Sequence, residues 1–202
     1  MRDRVLENVT TVLAGVVFEN ESESTDARGV PPHAANPVFL SEPVGGPYTD
    51  DEAIAEQLLI AKGAGIQSFG STVVQLPNPQ GLGPLIDIGF DRPTVRYLHL
   101  RITVTPGEGF PSTGSPGTSI RNSVVEYLQR GGEGYLDLGV DLVRFQLGEP
   151  INDAAPGIQS AVIETSATVN PGDPPSFSNA DIAVDDDEIL VADTSRTTVV
   201  IV

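Results

Sequence analysis

From Leu98 to Thr105 apolar and polar side chains alternate without a break: Leu98, Leu100, Ile102 and Val104 against His99, Arg101, Thr103 and Thr105. A period of two places each set on one face of a strand, whereas a helix would scatter both sets around its circumference. Extended back to Thr94, the run also puts Val95 and Tyr97 on the His99 side, and it is the longest strand the sequence specifies. A strand with one dry face needs helices over that face and further strands at its edges.

The first half is organised by Thr49 to Pro93. Thr49-Asp50-Asp51-Glu52 has capping-box spacing, which predicts a helix start with the Thr49 hydroxyl accepting from the Glu52 N–H. Ala53, Ile54, Gln57, Leu58 and Ala61 share one face, and Lys62-Gly63 supplies a last turn with glycine at C′. After the corner Ala64-Gly65-Ile66, the runs Ser71 to Leu76 and Leu85 to Phe90 form a hairpin around a Pro/Asn/Gly turn. The prediction is a helix packed on a hairpin.

Around these, Val5, Leu6, Val9 and Val12 predict a helix over Arg2 to Val12, stopped at Leu13-Ala14-Gly15-Val16 and turned into the strand Val16 to Phe18. The polar stretch Glu19 to Gly29 reads as an excursion, with His33 to Leu40 returning antiparallel to Val16 to Glu21. In the second half, Thr118 or Ser119 caps a helix carrying Ile120, Val124, Tyr127 and Leu128, closed by Gly131-Gly132. Leu142 to Ala154 is helical in part, limited by Pro150, and precedes the strand Ile158 to Thr168. Short β runs follow at 182–184, 189–191 and 197–202. The last, Thr-Thr-Val-Val-Ile-Val, has no polar face, which predicts burial on both sides. It pairs with Asp187 to Ala192 through the turn Asp193 to Arg196, or else with a strand of a neighbouring subunit. The fold class is α+β: two small lobes, 1–92 and 93–202, each with helices packed on a mainly antiparallel sheet.

Composition limits the chemistry. The 202 residues, 39% of them apolar, suffice for packed cores. With no cysteine there is neither a disulfide framework nor a thiolate zinc site, and His33 and His99 are the only imidazoles. No apolar run approaches the ~20 residues of a membrane span, so the reading is a soluble chain with no membrane insertion. The net charge of −17 is spread evenly, 13 acids against 5 bases up to Arg92 and 15 against 6 beyond it. Without clustered Lys/Arg, nucleic acid is not an expected partner. Ten arginines against the single Lys62 favour bidentate ion pairing at interfaces.

Each sharper motif has a plainer alternative. Asp185-Asp186-Asp187-Glu188 offers hard oxygens for Ca²⁺, but it lacks an EF-hand's glycine and alternating ligands and reads as a solvated turn. Glu19, Glu21 and Glu23 could set two carboxylates on one strand face, as in a glycosidase, or simply form a wet edge. His33 is expected to orient its loop through the backbone. His99 is expected at a half-buried or interface position. Gly63-Ala64-Gly65 follows a helix, so it is no phosphate cradle. Arg92 has Asp87 or Asp91 in reach, or an acid on another subunit. No catalytic, cofactor-binding or metal-binding residues emerge, and the candidate interface residues are Arg92, His99, Val199, Val200, Ile201 and Val202.

Taken in order, Val17-Phe18-Glu19-Asn20-Glu21, Gly29-Val30-Pro31-Pro32-His33, Asp51-Glu52-Ala53-Ile54-Ala55, Lys62 through Gly70, and Gly89-Phe90-Asp91-Arg92-Pro93 resemble the baseplate J-like family. These are wedge proteins of contractile-tailed phages and phage-like injection particles. Ala155-Pro156-Gly157-Ile158 and Asp181 to Val191 look like the family's closing region. The resemblance implies the family's middle domain over 1–92 and its C-terminal domain over 93–202. The family usually has a sizeable domain ahead of the helix that Arg2 begins. It also implies a non-enzymatic structural subunit in the virion's tail baseplate, assembled in the host cytoplasm. Its partners would be further copies and other wedge or hub proteins. The alternatives are a receptor- or glycan-binding tail module, which would group exposed aromatics in a groove, and a carboxylate-based hydrolase.

Overall fold

The computed structural model describes residues 1–63, 65–79, 81 and 83–202. The fold is α+β, with four α-helices and nine strands among the described residues. The chain divides into two compact units, Met1–Pro93 and Thr94–Val202.

In the first unit, α1 (Arg2–Asn8) leads into β1 (Val12–Asn20), which pairs antiparallel with β2 (Ala34–Ser41). The helix ends four residues before Val12, and the strand begins there, earlier than the sequence predicts. Gly15 is not a corner but lies inside β1, where a Cβ would stand 2.6 Å from the Phe39 ring. α2 (Asp51–Ala61) buries Ile54, Ala55 and Leu58. A short β3 (Gln67–Ser68) runs parallel to β2, and β4 (Thr72–Leu76) forms the expected antiparallel hairpin with β5 (Ile86–Phe90). Val5, Phe39, Ile54, Leu58, Ile88 and Phe90 are fully buried in one core. Gly70 and Gly89 lie back to back: a Cβ on Gly70 would collide with the Phe90 backbone, and one on Gly89 would reach 2.7 Å from the Gly70 nitrogen. Only hydrogen lets these backbones meet.

Two local expectations fail, one at each end of α2. The N-cap of α2 is Asp50, with no side-chain cap hydrogen bond, and no capping box forms from Thr49. Its carboxylate is engaged elsewhere. At the other end Lys62 leaves the helix in an extended conformation, and the left-handed glycine is Gly65, not Gly63. Ala64 of the predicted corner, and Gln80 and Leu82 in the hairpin turn, lie outside the described residues.

The second unit is built on β6 (Thr94–Pro106). α3 (Pro116–Leu128), a 3₁₀ turn at Arg144–Leu147 and α4 (Gly148–Ala154) supply the helices. Pro116 occupies the first turn of α3, where a missing N–H costs no hydrogen bond. Leu98, Leu100, Ile102 and Val104 are buried with Ile120, Val124, Leu147 and Ile151. β7 (Ile158–Thr168) covers one edge of β6, antiparallel.

At the other edge the structure corrects the sequence. β8 (Glu188–Val191) and β9 (Thr197–Ile201) do not form a hairpin: both run parallel to β6, β8 beside Thr94–Tyr97 and β9 beside Leu100–Val104. Between them Asp193 accepts from the Ser195 N–H at 2.7 Å and fixes a single 3₁₀ turn over Thr194–Arg196. One such turn steps the chain sideways without reversing it. Nor is β9 buried on both sides, because Val200 is 40% and Ile201 43% exposed. Ile182 makes only an isolated bridge to Leu142.

Leu58 is fully buried beneath α2. Leu58→Asp should unfold the first unit, since an unpaired buried carboxylate costs several kcal/mol against a total stability of ~5–15 kcal/mol. Peptide-resolved hydrogen exchange should then show protection lost throughout α2, β4 and β5; unchanged protection would contradict the packing described.

Candidate functional site

Arg92 directly follows β5, and its guanidinium gathers the first unit's polar groups. One terminal nitrogen donates to Asp50 Oδ1 at 2.6 Å and to Asp51 Oδ1 at 2.5 Å; the other donates to Ser41 Oγ at 2.7 Å and to the Phe39 carbonyl at 3.3 Å. The Tyr48 ring lies 4.2 Å from the guanidinium carbon, within cation–π range. Thr11 donates its hydroxyl proton to Asp50 Oδ2 at 2.7 Å. Neither acid anticipated for Arg92 is its partner. Asp91 points the other way along the chain and accepts from Ser71 and Asn36, while Asp87 accepts from Gln75. Only 12% of the Arg92 side chain is exposed, so its charge is matched inside its own unit.

Burial opposes ionisation of Asp50, yet hydrogen bonds from Ser41, Thr11 and Arg92 and the Arg92 charge outweigh it and hold its carboxyl below the usual range. A depressed carboxyl contributes stability above its unfolded pKa, and that contribution is lost as pH falls through the folded value.

The other five candidates belong to the second unit. His99 is 7% exposed, on the β6 face away from the helices, with Nε2 3.0 Å from Thr168 Oγ1. The segment after β7 lies over that end of the sheet: Ser176 N–H donates to Ser166 Oγ, Thr165 and Ser178 form a bridge, and Arg101 sits 4.5 Å from the Phe177 ring. Burial first, and then the Arg196 charge, push the His99 pKa down, against the pull of Asp173. Thr197 is buried and Val199 half-buried against α3, which leaves Val200, Ile201 and Val202 as the exposed members of the set.

Of the remaining motifs, Glu188 accepts from Arg96 at 3.1 Å and so ties the acidic turn to β6. His33 has a left-handed backbone, φ 54°, and its Nε2 stands 3.4 Å from Glu23, in place of the expected backbone contact. No cluster of three or more His, Asp or Glu side chains placed to hold a metal ion occurs among the described residues. No helix there is long and apolar enough to cross a membrane. An open cleft of about 420 Å³ beside α3 is lined by Glu126, Glu133, Glu149, Asp153 and Arg130.

Sequence reasoning missed Phe145, 91% exposed in the 3₁₀ turn, and Val162, 49% exposed on β7. Phe145 lines a groove of about 700 Å³ along β7 with Tyr127, Ile158, Ala161 and Ile163. An alternation count over Ile158–Thr168 would have found Val162 among Ser160, Glu164 and Ser166; Phe145 carries no periodic signal. No model of a known protein family matches the chain, and no curated protein matches it in sequence.

Two variants test these assignments. Arg92→Leu leaves Asp50 buried without its cation and should destabilise the first unit by about 3–5 kcal/mol, read as earlier denaturant unfolding with the second unit's exchange protection unchanged. His99, with its lowered pKa, contributes stability that is present above about pH 6.5 and lost as pH falls from there through its folded value. The second unit's melting temperature should therefore drop over that window, and His99→Gln should flatten the dependence; an identical pH profile in the variant would refute the burial argument.

Proposed function

We propose that this chain is a structural assembly subunit, a baseplate wedge component of a contractile phage tail or phage-like injection particle, without enzymatic turnover. The observation that carries this reading is how its side chains are disposed. Asp51, Asp91 and Arg92 of the family-like motifs are bonded to one another or to the framework of the first unit. Apolar side chains stand exposed instead, among them Val162, Val200, Ile201 and Val202 along the outer strands of the second unit's sheet and Ile60, Val73 and Leu85 in the first unit. That disposition suits a subunit whose work is to be held and to hold. Its partners would be other copies and other wedge or hub proteins, in the tail baseplate of a virion.

A second reading, a glycan- or receptor-binding tail module, draws on the shared groove of Phe145 and Tyr127. Sugars stack on such faces, and this reading requires Phe145→Ala to abolish binding on a glycan array.

Light scattering across a concentration series, with and without candidate baseplate neighbours, tests the first reading. Concentration-dependent self-association or a defined complex is expected, together with localisation to the baseplate in antibody-labelled particles under negative stain. A chain that stays monomeric, binds no neighbour and hydrolyses a glycan would overturn it.

A further inference from the structure

The two outer strands of the second unit's sheet are matched in level. Thr103 of β6 lies between Val162 of β7 and Val200 of β9. Both valines point away from the helices, and they are 49% and 40% exposed.

Their backbones are matched too. On β7, Thr165 exchanges both of its hydrogen bonds with Ser178 on the side away from β6. Because strand residues alternate, Ile163 and Ala161 face that side as well. Arg144 takes the Ile163 carbonyl at 3.0 Å. On β9, the Val202 N–H donates to the Val104 carbonyl, so Val200 faces β6 while Val199 and Ile201 turn outward. No backbone hydrogen bond reaches Ala161, Val199 or Ile201 on those outer sides among the described residues. Unpaired edges of this kind are templates for another strand.

We propose that copies of this chain join edge to edge, β9 of one against β7 of the next, antiparallel, continuing a single sheet from subunit to subunit. In the register that preserves level, Ile201 meets Ala161 and exchanges both N–H···O bonds with it, Val199 meets Ile163, and Val200 lies beside Val162. On the helix side of the seam Glu149 is the one charged residue lining the groove along β7 and Arg121 the one lining the groove along β9, while the Arg144 guanidinium at the β7 edge stands 3.7 Å from Asp181, which answers its charge. In a chain of net charge −17, an acid-free wall at β9 suits the acidic wall at β7. The contact is heterologous, so it builds rings or open filaments, not closed twofold dimers. It rests on the assembly reading in taking a second copy, not a foreign strand, as the occupant.

The absence of cysteine makes the register testable by cross-linking. Within one chain, positions 162 and 200 are two strand spacings apart, about 9.6 Å, beyond the ~7 Å that a disulfide can bridge. Across the seam they form a non-hydrogen-bonded pair about 4.5 Å apart. The Val162→Cys/Val200→Cys protein should therefore oxidise into a ladder of dimers, trimers and higher species that collapses on reduction. Each single variant should give only slow collisional dimers. A double variant that melts like the parent but cross-links no faster than the singles overturns the proposal, as does Val200→Cys alone dimerising as fast as the pair, which would place β9 on β9. The parent's light scattering separates the two readings. If the parent associates and Val200→Lys associates equally, the edge pairing falls and the assembly reading stands; if the parent is monomeric and binds no baseplate neighbour, both fall.

Discussion

A guanidinium withdrawn from water must have its charge answered, and in the first unit the two terminal nitrogens of Arg92 answer it by drawing segment ends together. Arg92 takes Asp50 and Asp51 from the start of α2, Ser41 from the end of β2 and the face of Tyr48 from the loop between them. Thr11, just before β1, is drawn in through Asp50. The hydrophobic core sets how much surface the unit buries, but it is indifferent to a slip of one residue at any of these boundaries. The directed hydrogen bonds of a guanidinium are not indifferent. The same node explains why the helix lacks a conventional cap: the Asp50 carboxylate that could have closed the helix end instead ties it to β5.

The second unit has no such polar centre and is organised by a single strand. β6 supplies the apolar face that α3 and α4 cover, and both of its edges are occupied along most of its length. What varies around it is which neighbour is present at which level: β8 beside its start and β9 beside its second half.

Elements whose signal is local were legible in the sequence: the alternation of Leu98–Val104, the apolar face of α2 and the hairpin of β4 with β5. What misled was local evidence overruled at a distance. Gly15 looks like a corner because glycine favours corners, yet it is glycine to make room for the Phe39 ring, whose approach no neighbouring residue announces. Thr49-Asp50-Asp51-Glu52 looks like a capping box, but the helix starts one residue later with Asp50 at the N-cap, and Arg92, far along the chain, holds that carboxylate. Thr197–Ile201 is rightly a strand, but whether it reverses on β8 or continues along β6 turns on one 3₁₀ step fixed by Asp193 and Ser195. Of the candidate interface residues, Arg92 and His99 were polar or aromatic enough to suggest contact with another molecule and are instead enclosed, whereas Val200 and Val202, named from the sequence for their place in an all-apolar run, are exposed.

The parallel placement of β9 beside β6 has a consequence for how the protein comes into being on the ribosome. Leu100 and its partner Thr197 stand at nearly opposite ends of the second unit's stretch of chain, so this pairing closes almost the longest loop the unit permits. Contacts of such sequence separation form late and slowly. The first unit, whose pairings all lie within Met1–Pro93, can complete its core while the remainder is still being translated. β6 must wait with one edge bare until Thr197–Ile201 has emerged, and during that interval nascent chains on neighbouring ribosomes present the same unsatisfied edge to one another.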